Sequence, residues 1–183
     1  MRLLIASDIH GSVPHFEQLV TRIEEENPDR IILLGDILYH GPRNDLFEGY
    51  GPKGILDVIN EYSERIIAVR GNCDSEVDQM VLDFPLMGDY STFCDEHGHL
   101  LFLTHGHIWG PDHLPELPPQ SAFLYGHTHR KQAEICNGIA LINPGSVSLP
   151  RDGSHSYASY ENECFSLKAL EDGSIITHCS FES

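Results

Sequence analysis

Nowhere does this chain hold eighteen consecutive apolar residues, so it contains no candidate for a membrane-crossing helix. Its opening run, "MRLLIASDIH", is too short for a secretory signal and charge interrupts it at once. Basic residues are scarce: 11 Lys and Arg stand against 28 Asp and Glu, a formal charge of −17. A long nucleic acid rewards clustered Lys and Arg through its phosphate backbone, so a chain this acidic is expected to repel one. The five cysteines (Cys73, Cys94, Cys136, Cys164 and Cys179) are odd in number, scattered, and form no CxxC pair. That argues against a disulfide framework or a thiolate zinc knuckle and points to a reducing, cytoplasmic setting. Repeats, low-complexity tracts and domain-length linkers are also missing. What is there is a chain of 183 residues, 40% hydrophobic, expected to fold as one domain over 1–183 with room for a two-sheet core.

The first half alternates strand and helix signals. "RLLIAS", "RIILLGD" and "RIIAVRGN" are short apolar runs that stop at polar residues, as buried strands do. Between them, Phe16, Leu19, Val20 and Ile23 fall at helical spacing behind Ser12, a candidate N-cap with Pro14 in the first turn. Ile55, Val58, Ile59 and Tyr62 repeat the spacing. Strands separated by helices imply right-handed crossovers and a largely parallel sheet. The second half is a series of strand-like runs broken by short turns, among them Asn137-Gly138, a favourable hairpin pair. Two sheets packed face to face with helices outside, an α/β fold, are the expected result. Tyr39 to Pro52 has no periodicity and reads as a long loop beside the end of the second strand.

Five polar clusters follow five apolar runs: Asp8-Ile9-His10, Gly35-Asp36, Gly71-Asn72, His105-Gly106-His107 and Gly126-His127-Thr128-His129. Ligands of open α/β sheets bind beyond the carboxyl ends of strands, so the clusters should share one rim. Asp, Asn and His without thiolates suit Mn, Fe, Co, Ni or Zn better than Ca. On extended backbone, residues two apart such as Asp8 and His10 would point the same way. Two divalent ions bring four positive charges, of which Asp8 and Asp36 would remove two, leaving room for hydroxide and an anionic phosphoryl group. Coordination lowers the pKa of water to about 7, and paired ions can stabilise both the attacking and the leaving oxygen. Singly, each cluster reads more blandly: Asp8 as a helix cap, Gly35-Asp36 and Asn72 as turns, the paired histidines as half-buried core. At five strand ends together the coincidence is poor. His97-Gly98-His99 lies before its strand and is expected to be a surface turn; His15, His113, His155 and His178 are read as surface residues too.

In this order, D-x-H, G-D, G-N, H-x-H and G-H-x-H resemble the calcineurin-like metallophosphoesterases over about the first 150 residues. "GNCD", "HGPRN", "SEVDQM" and "NPGS" make the chain similar to their small prokaryotic YfcE-like phosphodiesterase subgroup. The resemblance implies a four-layer α/β/β/α sandwich of two mixed sheets flanked by helices, and two divalent ions, commonly Mn²⁺, with Fe, Zn, Ni or Co as alternatives. It assigns Asp8, His10 and His129 to one ion and Asn72, His105 and His127 to the other. Asp36 bridges them, and a metal-bridging hydroxide attacks a small phosphodiester. Cys73 departs from the superfamily, where a His commonly follows the Asn and protonates the leaving group. A thiol is a weak donor, which implies a preference for diesters or esters with acidic leaving groups and offers His107 as a substitute donor and substrate contact. Arg43, with a guanidinium fork suited to phosphate oxygens, and Cys73 are the other expected substrate contacts. Asp74 is read as a cap for a helix starting near Ser75 or as a hydrogen-bond acceptor for a histidine ligand. Rival functions are a phosphomonoesterase on the same site, a nuclease on short oligonucleotides, and a non-catalytic interaction module. Exposed strands, with the resemblance, admit a homo-oligomer.

Overall fold

A computed structural model describes residues 1–181; residues 182 and 183, the last two of the expected domain, lie outside the described residues. The chain runs β1 (Leu3–Ala6), α1 (Val13–Glu26), β2 (Arg30–Leu33), α2 (Lys53–Glu61), β3 (Ile66–Ala68), α3 (Glu76–Gln79), β4 (Tyr90–Cys94), β5 (Leu100–Thr104), β6 (Ala122–Leu124), β7 (Lys131–Cys136), β8 (Ile139–Pro144), β9 (Ser156–Glu161), β10 (Cys164–Ala169) and β11 (Ile175–Ser180). Two mixed sheets result, one of six strands in the order β11-β10-β9-β1-β2-β3 and one of five in the order β4-β5-β6-β8-β7. In the first, β1, β2 and β3 are parallel and β9 to β11 add an antiparallel meander. In the second, β5, β6 and β8 are parallel.

The sequence pattern explains the layering. Strand β1 is apolar at every position because both its faces are covered. Leu3 and Ile5 face the second sheet, among Leu103, Leu124, Ile142 and Tyr160. Leu4 and Ala6 face outward under Phe16, Leu19 and Ile23 of α1 and Ile55 and Ile59 of α2. The outer face of the five-stranded sheet is covered differently. Among the described residues no helix lies there; Trp109, Leu114 and Leu117, from the irregular segment between β5 and β6, close over Phe102, Phe123 and Leu141.

Several local expectations are corrected. Ser12 stands at the N-cap of α1, yet its hydroxyl bonds the His15 imidazole at 2.7 Å instead of a backbone N–H. His15 and His155 are half-buried and stack with ring centroids 4.0 Å apart, whereas His113 and His178 are exposed. Strand β4 has no counterpart in the sequence reading, since an edge strand carries too few apolar positions for a period; the helix expected near Ser75 is the four-residue α3. Asn137 and Gly138 form the β7–β8 turn with φ of 51° and 79°, the left-handed pair a tight hairpin requires.

Candidate metal centre

The carboxyl ends of β1, β2 and β3 in one sheet and of β5 and β6 in the other meet on one rim. Contacts across the sheets fix the meeting. His105 Nδ1 donates to the Leu34 carbonyl at 2.6 Å, and the His127 backbone N–H donates to Asp8 Oδ2 at 3.1 Å. Just past the strands the backbone does not stay extended. Asp8, His10, Asp36, His127 and His129 have φ of 57°, 49°, 55°, 63° and 56°, a left-handed region that costs an L-residue about 1–2 kcal/mol. Asp8 and His10 therefore reach one place through left-handed turns, not through the two-residue period of a strand. Such strain persists only where surrounding structure enforces it, and it collects at functional sites.

The enforcing contacts are visible. Gly71 is needed for close approach, because a Cβ there would overlap the Asp36 carboxylate. Asp74 accepts the backbone N–H groups of Gly71, Asp36 and Ile37 at 2.7, 2.8 and 2.9 Å. That corrects both expected roles: α3 is started by Ser75, which donates its backbone N–H to Asp78 at 2.7 Å, and Asp74 instead ties the turn after β2 to the turn after β3. Asn143, Ser146 and Ser148, absent from the expected site, support the turns after β1 and β6. The Asn143 amide donates to the Gly126 carbonyl and Thr128 hydroxyl at 2.9 and 3.0 Å. Both serine hydroxyls donate to the Asp8 carbonyl at 2.9 Å. Asn143 and Ser146 were signalled by "NPGS", a sixth polar cluster at a strand end, and Ser148 lies two residues beyond it.

All seven expected metal ligands converge. His10, His105 and His129 each direct Nδ1 at a backbone carbonyl, of Tyr39, Leu34 and Leu149, at 2.8, 2.6 and 2.6 Å. A carbonyl only accepts, so Nδ1 carries the proton and the neutral ring turns its Nε2 lone pair inward. Those lone pairs face other electron-rich atoms. His129 Nε2 lies 3.2 Å from Asp8 Oδ1 and 3.4 Å from His10 Nε2. His105 Nε2 lies 3.1 Å from Asn72 Oδ1 and 3.3 Å from His127 Nδ1. Asp36 Oδ2 sits between the two groups, 3.7 Å from His10 Nε2 and 3.4 Å from His105 Nε2; its Oδ1 takes the Cys73 N–H at 2.8 Å. Asp8 Oδ1 is buried and accepts no hydrogen bond. Cations placed among these atoms would satisfy them all, so the donor set fits divalent metal. Two sets, Asp8–His10–His129 and Asp8–Asp36–His105, have ligand atoms mutually within 4.8 Å, and Cys73 joins His10 and Asp36 in a third.

Without a cation the groups share protons. Burial opposes a charged His105, but the Asp36 hydrogen bond and the charges of Asp8 and Asp36 outweigh it and raise its pKa to about 9. Burial likewise opposes ionised Asp36, yet His105, the Cys73 N–H and His10 hold it well below the usual carboxylate range. Burial and then the Asp36 charge push the Cys73 thiol up to about 12.

A cavity of about 380 Å³ opens over the cluster. Arg43 and Cys73 line it, as do two arginines the sequence reading passed over, Arg130 and Arg151. His107 does not line it. Its ring is 5.4 Å from that of His105 and 6.2 Å from that of His127, and burial, then the His105 charge, favour its neutral form.

Fold and site together define a class. Residues 1–163 match the calcineurin-like phosphoesterase superfamily domain, and the chain belongs to that superfamily of metal-dependent phosphoric ester hydrolases. Phosphodiesterase YfcE of Escherichia coli K12 is 47% identical to it over 177 residues, 96% of either chain. A solved structure of YfcE, described as a phosphoesterase from E. coli, matches with a TM-score of 0.96 and 45% identity over the whole of both chains. Vps29 of Entamoeba histolytica, solved with Zn²⁺, shares the fold at 18% identity and a TM-score of 0.64, covering the whole of both chains.

Proposed function

We propose that the protein is a cytoplasmic phosphodiesterase that binds two divalent ions, Mn²⁺ foremost, and hydrolyses a small phosphodiester. The observation that carries the reading is the inward-turned Nε2 set of His10, His105 and His129, each locked by a backbone carbonyl and facing buried carboxylates. Asp8, His10 and His129 would hold one ion, Asn72, His105 and His127 the other, and Asp36 both. The bound ions supply Lewis acidity toward the phosphoryl group and make water acidic enough to attack at neutral pH.

The chain's own residues do the rest. Asp36 sets the spacing of the two groups through one oxygen. Asn72, a neutral donor, leaves the centre net positive, which favours an anionic substrate. Arg43 reaches the phosphoryl oxygens from the loop before α2. Cys73 lines the cavity as a weak donor, and His107 lies off it, so leaving-group protonation is poorly served. General acid help is worth about 10²–10⁴-fold; its weakness selects esters with acidic leaving groups. The identity with a phosphodiesterase, and seven intact ligand positions, favour this over a monoesterase or an interaction module.

The test is turnover of bis-p-nitrophenyl phosphate and p-nitrophenyl phosphate by metal-stripped protein, with and without Mn²⁺. Faster, Mn²⁺-dependent diester hydrolysis is expected, and Asp36→Asn should lower kcat/KM by about 10²–10³-fold or more. Metal-independent or absent turnover sinks the reading, and faster monoester hydrolysis replaces it with a monoesterase.

A further inference from the structure

Three of the 11 Lys and Arg of this chain, Arg43, Arg130 and Arg151, line the cavity over the candidate metal centre. In a molecule with 28 acidic side chains, carboxylate partners are abundant. Among the described residues, however, none of the three stands in an ion pair. Their neighbour shows the contrast: Lys131 is neutralised by Asp152, with Nζ to Oδ1 at 2.6 Å. The backbone around that pair also brings the segments carrying the two arginines together. The Lys131 N–H donates to Asp152 Oδ2 at 2.6 Å, and the Arg151 N–H donates to the His129 carbonyl at 2.9 Å. Both bonds draw the loops after β6 and β8 together, so Arg130 and Arg151 stand on one wall.

Charge counting shows what that wall lacks. With two divalent ions against Asp8 and Asp36, a hydroxide and a monoanionic diester already bring the centre to neutrality. Arg43 answers the charge that gathers on the reacting phosphoryl group. Two further unpaired guanidinium groups facing the same cavity have no charge left to answer in a simple diester. We propose that Arg130 and Arg151 bind a second phosphate of the substrate, so that the natural substrate is a phosphodiester carrying an additional phosphate on one of its alcohol groups. The guanidinium fork matches phosphate oxygens two at a time, and a pair of arginines matches a phosphate dianion in charge. This inference rests on the phosphodiesterase reading above.

The test compares ethyl p-nitrophenyl phosphate with p-nitrophenyl diesters whose second alcohol is a two-, three- or four-carbon chain ending in phosphate. The leaving group is the same throughout. At least one phosphorylated ester is expected to have a KM about tenfold or more below that of the ethyl ester. In the Arg130→Gln/Arg151→Gln variant that ratio should collapse toward one, and in wild type it should shrink as salt rises. Equal KM values for all esters in wild type, or a ratio unchanged in the variant, overturn the proposal. A second readout needs no turnover: calorimetric titration of the Mn²⁺-loaded protein with propyl phosphate and with propane-1,3-diyl bisphosphate. The bisphosphate should bind about tenfold tighter, an advantage lost in the variant. Failure to hydrolyse bis-p-nitrophenyl phosphate would remove the diesterase reading alone, because the titration still decides the arginines.

Discussion

At Asp74 a single carboxylate holds three backbone N–H groups from two different turns. Nothing in "GNCD" distinguishes such a residue from a cap, because its partners Asp36 and Ile37 lie far away in sequence. Asp74→Asn keeps one acceptor oxygen but turns a donor toward an N–H. It should destabilise the protein by about 2–4 kcal/mol in urea unfolding and weaken Mn²⁺ binding by about 10–100-fold in calorimetric titration. Unchanged values of both would remove Asp74 from the support of the site. The ligands themselves were legible only as a set, since each cluster alone reads as a cap, a turn or core histidine, whereas five of them at five strand ends point to one shared rim. Their left-handed backbone was not, because Asp8, His10, Asp36, His127 and His129 hold that conformation through partners supplied by other strands.

The β4–β5 hairpin shows the same division at the scale of an element. His97-Gly98-His99 is a turn, as its position before an apolar run indicates, with Gly98 at φ 90°. Yet His99 is largely buried and its ring lies 4.2 Å from that of Phe181. Asp95 organises the turn, accepting the N–H groups of His97 and His99 at 2.9 and 2.8 Å, His99 Nδ1 at 2.9 Å, and the Tyr160 hydroxyl. Burial opposes the Asp95 charge, but the Tyr160 and His99 hydrogen bonds outweigh it and lower the carboxyl pKa. A carboxyl lowered on folding contributes stability above its unfolded pKa and loses it as pH falls through the folded one. Asp95→Asn should therefore cost about 2–4 kcal/mol at pH 7. The gap from wild type should narrow as pH falls below about 4. A gap of the same size at pH 7 and pH 3, measured by denaturant unfolding, would rule this out.

Over the whole molecule, the two sheets form a frame whose strand ends bring strained, electron-rich turns together. The frame bears the cost of that arrangement without a cation, and a cation should offset part of it. Mn²⁺ at about a hundredfold excess over its Kd is expected to stabilise the fold by about 2.7 kcal/mol for one site. For a chain of this size that raises Tm by about 5–10 °C, a shift that a chelator reverses in differential scanning calorimetry. A Tm indifferent to Mn²⁺ and chelator alike would count against a metal centre at this rim. The net charge of −17 does not describe the site, where Arg43, Arg130 and Arg151 face the cavity.

By itself, the sequence determined the alternation of strands and helices, the doubly covered core strands and the identity of the seven candidate ligands. Those properties are local: apolar periodicity and the chemistry of a side chain do not depend on distant partners. Only the tertiary structure decided that Asp74 braces two turns, that irregular chain covers one outer face, and that Arg130 and Arg151 join Arg43 over one cavity. Each of these depends on contacts between segments far apart in the chain, and a contact of that kind leaves no period or motif at either end.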